Sequence, residues 1–229
     1  MRILRSAAFL SLFALAGSAQ AISFTNVVNA SIADNAGDTN PVLTTIDTTG
    51  SFGLGWQVAS VSLELVLNHT WVGDLAIELW SPSGTEIQLM ARPGSTIGDE
   101  QRGSPWGDSS NLRVTDPIRF LDSAVVSAET MGSTVNGNRT VPAGAFRPDA
   151  DGWTTDITTL AGFLGEQAGG LWTLRVGDYG GGDVGTLVQW NLDVTAVFVP
   201  EPAPALMLGL GCLGLAVGGR RRAAVSAAA

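Results

Sequence analysis

Hydrophobic and polar side chains alternate along three neighbouring stretches of the chain, residues 61–67, 75–79 and 87–89. Successive side chains of a β-strand point to opposite faces, so this alternation predicts three strands, each with one buried face. Residues 81–84, Ser-Pro-Ser-Gly, favour a tight turn, and we expect the second and third strands to pair antiparallel. Residues 68–74 are too few for a crossover helix, which predicts a loop joining neighbouring strands.

Two later stretches alternate in the same way. One has Trp172, Leu174 and Val176 on a single face, and the other has Val188, Trp190, Leu192 and Val194. We assign the two tryptophans to the core. The glycine-rich residues 177–185 predict a hairpin between these strands, because glycine readily adopts positive φ.

The chain otherwise contains short stretches of this kind separated by turn residues. Residues 159–166 are the one weak candidate for a helical turn. This pattern indicates an all-β domain built as an antiparallel sandwich. Residues 91–119 lack periodicity and predict a long surface loop, in which Trp106 either stacks on a sugar or a partner or folds back over the domain edge.

The N-terminal residues 1–21 have the features of a secretory signal peptide. Arg2 and Arg5 precede an apolar run at 7–15, and the segment ends in Ala19-Gln20-Ala21, an A-x-A cleavage pattern. We therefore expect export, with the folded domain beginning near residue 22.

The C-terminal residues predict a membrane anchor. Pro200-Glu201-Pro202 precedes an apolar run at 203–219, and Arg220, Arg221 and Arg222 follow it. A helix over 203–219 would be about 25 Å long, slightly short of a ~30 Å hydrocarbon core. The arginines would keep residues 223–229 in the cytoplasm and place the domain outside the inner membrane.

Charge and cysteine content narrow the possible partners. Residues 22–199 carry 20 acidic and 7 basic side chains, a formal net charge of −13. Nucleic acids and anionic lipid surfaces need a basic face, so neither is expected as a partner. The sole cysteine, Cys212, lies in the predicted membrane segment, so residues 22–199 can form no disulfide.

Several segments together resemble the P domain, also called P/Homo B, which follows the subtilisin-like catalytic domain in proprotein convertases and many bacterial proteases. The motifs include Gly-Asp-Leu at 73–75, Phe-Leu-Asp-Ser-Ala at 120–124 and Gly-x-Trp-x-Leu-x-Val-x-Asp at 170–178. Further matches lie at 31–35, 69–70, 81–85, 144–148 and 185–192. The resemblance implies a jelly-roll-like β-sandwich or barrel over residues 22–199.

The tail resembles the PEP-CTERM sorting signal of Gram-negative bacteria. In that signal a Pro-Glu-Pro motif, a membrane helix and an arginine cluster are recognised by an exosortase. The resemblance implies that residues 200–222 anchor the chain transiently and are then processed. The domain would afterwards reside at the cell surface or in the extracellular matrix.

The sequence does not favour hydrolytic chemistry. A Ser-His-Asp triad needs a histidine base, and His69 is the only histidine; it lies within the P-domain motif, and no Gly-x-Ser-x-Gly element exists. In convertases the triad belongs to the catalytic domain, which this chain does not resemble. We therefore expect no peptidase activity. A glycosidase needs only two carboxylates, but nothing selects a pair.

Aspartates at the loop ends are candidate calcium ligands. Several bacterial P domains resemble calcium-binding modules, and on that basis Asp74, Asp122, Asp178 and Asp183 are the candidates, because Ca²⁺ prefers oxygen ligands. The Asp-Asn-x-Gly-Asp spacing at 34–38 is similar to part of a calcium loop. The alternative is that each aspartate caps its own turn.

Two functions remain open. The first is a non-catalytic, exosortase-processed module that binds or structures surface polysaccharide or protein. The second is an accessory domain that supports a separate subtilisin-like serine endopeptidase. The sorting tail favours the first.

Overall fold

The computed structural model describes residues 18–95, 106–133, 139–149 and 159–200. The predicted membrane helix and arginine cluster lie outside the described residues, as does most of the predicted signal peptide. Within the described ranges, no helix is long and apolar enough to cross a membrane.

Ten strands form two sheets packed face to face. The strands are β1 (Ala19–Ile32), β2 (Val42–Asp47), β3 (Trp56–His69), β4 (Leu75–Trp80), β5 (Glu86–Ala91), β6 (Ile118–Phe120), β7 (Val126–Ser127), β8 (Gly144–Arg147), β9 (Leu171–Asp178) and β10 (Gly185–Phe198). The six-stranded sheet has the order β1-β10-β3-β6-β8-β7, and the four-stranded sheet has the order β2-β9-β4-β5. Short 3₁₀ turns span Val72–Asp74, Ala128–Thr130 and Leu160–Phe163.

The all-β sandwich is confirmed, and the barrel alternative is not, because the two sheets do not close on each other. The sheets are also not purely antiparallel. Strand β8 pairs in parallel with both β6 and β7 at one edge of the six-stranded sheet. The 3₁₀ turn Leu160–Phe163 confirms the helical turn predicted within 159–166.

The core lies between the sheets and contains both assigned tryptophans. Trp172 and Trp190 are fully buried, as predicted. The Trp172 ring meets Phe163 edge to face, with centroids 5.0 Å apart.

On β10 inward and outward side chains alternate from Trp190 to Val197, so the polar half of the pattern forms the outer surface of the six-stranded sheet. The register shifts between Leu187 and Gln189, so Val188 does not share the buried face of Trp190 that was predicted for it.

Two predicted connections are wrong because they cross from one sheet to the other. Strand β3 belongs to the six-stranded sheet and β4 to the four-stranded sheet, so residues 68–74 do not join neighbours. Strands β9 and β10 are likewise in different sheets, so residues 177–185 form no hairpin. Both crossings lie at the same end of the sandwich, since His69 pairs with Gly185.

The antiparallel pairing of β4 with β5 is confirmed, and Gly84 in their turn has a φ of +88°. The expectation of one buried face fails for β4, where residues 75–79 are all buried. Glu78 on its outer side is covered by Arg175, which donates to both carboxylate oxygens at 2.9 Å. Ala76 packs with Ala91 and Tyr179.

Strand β1 begins before the predicted signal cleavage site. Ala19 pairs with Val197 and Ala21 with Thr195 at the edge of the six-stranded sheet. Cleavage after Ala21 would shorten the edge strand by three residues and leave its pairing from Ile22 onward. The cleavage site stays a prediction.

Candidate functional site

The end of the sandwich where the chain crosses between sheets gathers acidic side chains. The 3₁₀ turn Val72–Asp74 brings Asp74 to the start of β4, and Leu75 pairs with Asp178 at the end of β9. The backbone carbonyl of Asp74 accepts a 2.8 Å hydrogen bond from the Tyr179 N–H. Sheet register therefore places two predicted calcium ligands, Asp74 and Asp178, side by side.

His69 and Asp178 form a buried pair that joins the two sheets. His69 Nε2 lies 3.0 Å from Asp178 Oδ2, and both side chains are fully buried. His69 Nδ1 lies 2.8 Å from the carbonyl oxygen of Trp71. With both ring nitrogens engaged and no exposed surface, this imidazole is placed to stabilise the fold and not to reach a substrate.

The surroundings of Asp74 at this end of the sandwich shift the pKa of its carboxyl group. Its side chain is 7% exposed, and among the described residues it pairs with Arg92, whose Nη2 lies 3.9 Å from Oδ1. Among the described residues none donates a hydrogen bond to this carboxylate. Burial, followed by the charge of Asp178, raises the pKa of Asp74 to about 7.

Glycine is required beside this carboxylate. A Cβ atom built on Gly180 would lie 1.9 Å from Asp74 Oδ1. The Gly180 N–H itself donates to Asp178 Oδ1 at 2.9 Å. The Gly-rich loop after β9 thus packs its backbone directly against the acidic pair.

Two further aspartates approach the same end. Asp183 accepts a 2.7 Å hydrogen bond from Thr70 Oγ1, and Asp34 accepts a 3.0 Å bond from the Gly182 N–H. The charges of both raise the pKa of Asp74 further. Asp34 belongs to the Asp-Asn-x-Gly-Asp segment, so two separate sequence signals meet at one place. We call Asp34, Asp74, Asp178 and Asp183 the acidic end.

The structure does not bring Asp122 to the acidic end. Its Oδ1 accepts from the Leu160 N–H at 2.8 Å, and its Oδ2 accepts from the Ala161 N–H at 2.8 Å and from Thr159 Oγ1 at 2.9 Å. Asp122 therefore caps the 3₁₀ turn Leu160–Phe163, which was the alternative expected for these aspartates.

The donor chemistry of the acidic end suits calcium, since the ion takes carboxylate oxygens. In residues 18–95, 106–133, 139–149 and 159–200, however, no three His, Cys, Asp or Glu side chains are grouped in a way that could hold a metal ion. Asp183, Asp178 and Asp34 instead accept hydrogen bonds from Thr70, Gly180 and Gly182.

The outer face of the six-stranded sheet carries a second polar arrangement that the sequence did not single out. Ser23, Asp193 and Ser62 lie in one cross-strand row, and Thr25, Asn191 and Glu64 lie in the next. Thr25 Oγ1 donates to Asn191 Oδ1 at 2.8 Å, and Asn191 Nδ2 donates to Glu64 Oε1 at 2.9 Å. These residues are the polar half of the alternation that predicted the strands.

Trp106 remains on the surface. Its side chain is 69% exposed, and its carbonyl oxygen accepts a 2.7 Å hydrogen bond from Trp71 Nε1. The expectation that this side chain folds back over the domain edge is therefore wrong.

Comparisons with known proteins give a family match and several similar solved structures. The family model of the proprotein convertase P-domain matches residues 58–194. No curated protein matches the chain significantly. Solved structures similar to the chain include the Aeromonas sobria serine protease in complex with the chaperone ORF2, at 19% identity and a TM-score of 0.44, covering 79% of this chain and 27% of that chain.

The Aeromonas sobria serine protease alone gives 20% identity, a TM-score of 0.44 and coverage of 78% of this chain and 27% of that one. This chain thus spans about a quarter of the length of those protease chains.

Proposed function

Because this chain belongs to the proprotein convertase P-domain family, we propose that it is a non-catalytic binding module, exported from the cell, that attaches to extracellular polysaccharide. P domains are non-catalytic modules associated with serine proteases. The observation that carries the proposal is the outer face of the six-stranded sheet, where hydroxyl, amide and carboxylate groups stand in register on adjacent strands. Such groups both donate and accept hydrogen bonds, as saccharide hydroxyls require.

The state of His69 supports a binding role over a hydrolytic one. The imidazole is engaged on both nitrogens within the sandwich. A general base must come within hydrogen-bond reach of the proton that it removes. A fully buried His69 is better suited to holding β3 against β9.

We also propose that the chain reaches the extracellular matrix by way of its two ends. The A-x-A pattern at Ala19–Ala21 directs export, and an exosortase processes the tail at Pro200-Glu201-Pro202, with Arg220, Arg221 and Arg222 holding the inner side of the membrane. The inner membrane is then a transient anchor in a Gram-negative cell.

Calcium is proposed as a stabilising ion of the acidic end. Asp74 would be its central ligand, because its buried carboxylate has no hydrogen-bond donor among the described residues and lies in the field of Asp178 and Asp183. Those two carboxylates are not grouped with Asp74 for coordination, so they would have to move toward it to share the ion. Bound calcium would supply the positive charge that Arg92 provides only at 3.9 Å. Asp122 is not part of this proposal, since it caps the turn at Leu160–Phe163.

Co-sedimentation tests the polysaccharide function. Purified full chain, kept in non-ionic detergent, is mixed with extracellular polysaccharide from the producing bacterium and centrifuged. We expect a saturable fraction to sediment with the polysaccharide. If the chain stays in the supernatant at every polysaccharide concentration, the module does not bind this material.

The family match itself favours a second function, an accessory domain for a separate subtilisin-like protease. That function predicts a stable complex with the protease and a higher melting temperature of the protease when the chain is added. Size-exclusion chromatography of the mixture distinguishes the two. Co-elution with a protease and no polysaccharide sedimentation would favour the accessory role.

A further inference from the structure

A cleft of about 580 Å³ lies on the outer face of the six-stranded sheet. Its floor is formed by the outward residues of β1, β3 and β10, and one wall is formed by the turn at 160–164 and the loop at 121–123. The turn stands beside β3 because the Val58 N–H donates to the Glu166 carbonyl at 2.8 Å. The wall and the floor are thus fixed relative to each other.

An ion pair ringed by hydroxyl groups lies on the floor. Arg119 on β6 donates from Nη2 to Asp193 Oδ2 and, at 2.8 Å, to Ser62 Oγ. Ser62 Oγ donates to Asp193 Oδ2 at 3.2 Å, and Ser23 Oγ donates to Asp193 Oδ1. Guanidinium, carboxylate and two hydroxyls therefore alternate across four adjacent strands.

The guanidinium of Arg119 has one N–H group that makes no hydrogen bond. Its Nε is buried and is the one buried side-chain nitrogen or oxygen without a hydrogen-bond partner in the described part of the chain. Leaving a buried donor unpaired is unfavourable. The Arg119 side chain is 39% exposed, so the same guanidinium also faces solvent.

The cleft also has an apolar side. Ala161 and Leu164 line it next to the ion pair, and Leu164 is half exposed. A ligand that fits must therefore combine hydrogen-bonding groups with apolar surface. A pyranose ring does so, because its hydroxyls lie around the edge and its C–H groups lie on the faces.

The charges in and around the cleft favour uncharged saccharides over acidic ones. Asp193 neutralises Arg119, and Asp122, which also lines the cleft, is a further carboxylate. Residues 22–199 carry a net charge of −13, which repels polyanions. We propose that this cleft binds uncharged saccharides, with Arg119 and Asp193 hydrogen-bonding neighbouring hydroxyls and Leu164 and Ala161 contacting the ring. This inference rests on the proposed function and names its site and ligand class.

Affinity electrophoresis of the full chain in non-ionic detergent tests the proposal. The probes are three uncharged polysaccharides, dextran, galactomannan and laminarin, and two polyanions, polygalacturonate and heparin. We expect at least one uncharged polysaccharide to retard the chain and neither polyanion to do so.

Three variants locate the site. Arg119→Gln removes the guanidinium, and Ala161→Trp fills the cleft without altering the ion pair; each should weaken the retardation at least tenfold. Arg113→Gln makes the same charge change on an exposed loop outside the cleft and should stay within twofold of the original chain. Thermal unfolding shows whether each variant folds, and Ala161→Trp keeps the test valid if Arg119→Gln does not.

The outcomes separate this inference from the proposed function. If polysaccharide of the producing bacterium still binds but Ala161→Trp and Arg119→Gln bind as well as the original chain, the cleft is not the site and the function stands. Retardation by the polyanions alone overturns the ligand class. If none of the probes and no native polysaccharide binds, both the inference and the function are wrong.

Discussion

Asp74 should make the stability of the folded chain fall as the pH rises from about 4 to about 7. Its pKa is raised from 3.8 to about 7 in the folded state. Between these two values the folded chain keeps the proton while the unfolded chain has released it. Stability from this group is fully present below pH ~4 and is lost as the pH rises through the folded pKa.

The magnitude follows from the size of the shift. A difference of about 3 pKa units corresponds to about 4 kcal/mol at 1.36 kcal/mol per unit. For a chain of this size, 1 kcal/mol shifts the melting temperature by roughly 2–4 °C. At pH 5 the unfolded chain has already released this proton, so about 2.5 kcal/mol remains to be lost between pH 5 and pH 8, and we expect the melting temperature to fall by roughly 5–10 °C over this range. Asp74→Asn cannot ionise, so it should remove most of this decrease.

The assay is thermal unfolding of the full chain at pH 5, 6, 7 and 8 in EDTA, followed by circular dichroism. Asp116→Asn is the matched control, because Asp116 lies on a surface loop and accepts its 2.7 Å hydrogen bond from the adjacent Thr115. The control should retain the pH dependence of the original chain. If Asp74→Asn and Asp116→Asn lose stability equally over this range, the burial assigned to Asp74 is not responsible.

Four other outcomes are expected. Gly180→Ala should destabilise the chain by roughly 1–3 kcal/mol, because its Cβ would lie 1.9 Å from Asp74 Oδ1 and the buried carboxylate would have to move. At Gly181 the nearest atom to a Cβ is 3.9 Å away, so Gly181→Ala should be tolerated, and chemical denaturation compares the two variants. His69→Ala should lower the free energy of unfolding by about 3 kcal/mol or more, since it leaves Asp178 buried without its partner. The full chain should hydrolyse no peptide substrate before or after this change. Calcium should raise the melting temperature more than sodium at equal ionic strength, and equal effects would show screening only. Intact-mass analysis of the exported chain should find an N terminus near Ile22 and a C terminus near Pro200–Pro202, and a mass that includes residues 205–222 would contradict processing.

The sequence predicted the parts of the fold that depend on local alternation. Trp172 and Trp190 were placed in the core because each lies on the apolar face of a period-two stretch. The turn at 81–84 and the 3₁₀ turn at Leu160–Phe163 were likewise visible in local residue types. These features need no knowledge of distant parts of the chain.

The assignment of strands to sheets could not be predicted in the same way. Alternation shows which face of β9 and β10 is buried, but both sheets of a sandwich bury one face, so it does not say which sheet a strand joins. The crossings at 68–74 and 177–185 were therefore misread as connections between neighbours. The parallel pairing of β8 depends on long-range contacts as well.

The candidate sites also combine residues that local motifs predict with residues that only the tertiary fold brings together. Asp74 and Asp178 were selected from motifs, and register brings them together. Asp122 lies in an equally good motif, but it caps the 3₁₀ turn that begins at Leu160, 38 residues later in the chain. Arg119 and Asp193 were not selected, because their significance comes from β6, β3 and β10 lying side by side.

Hydrogen exchange with saccharide present tests the central claim most directly. The full chain is exchanged with and without a saturating amount of the extracellular polysaccharide of the producing bacterium, and peptides are resolved by mass spectrometry. We predict slower exchange at 121–124 and 159–165, the exposed segments that border the cleft on the outer face of the six-stranded sheet, and no change in the Gly-rich loop at 179–184. Protection confined to 179–184, or no protection anywhere, would contradict a polysaccharide-binding module that uses this face.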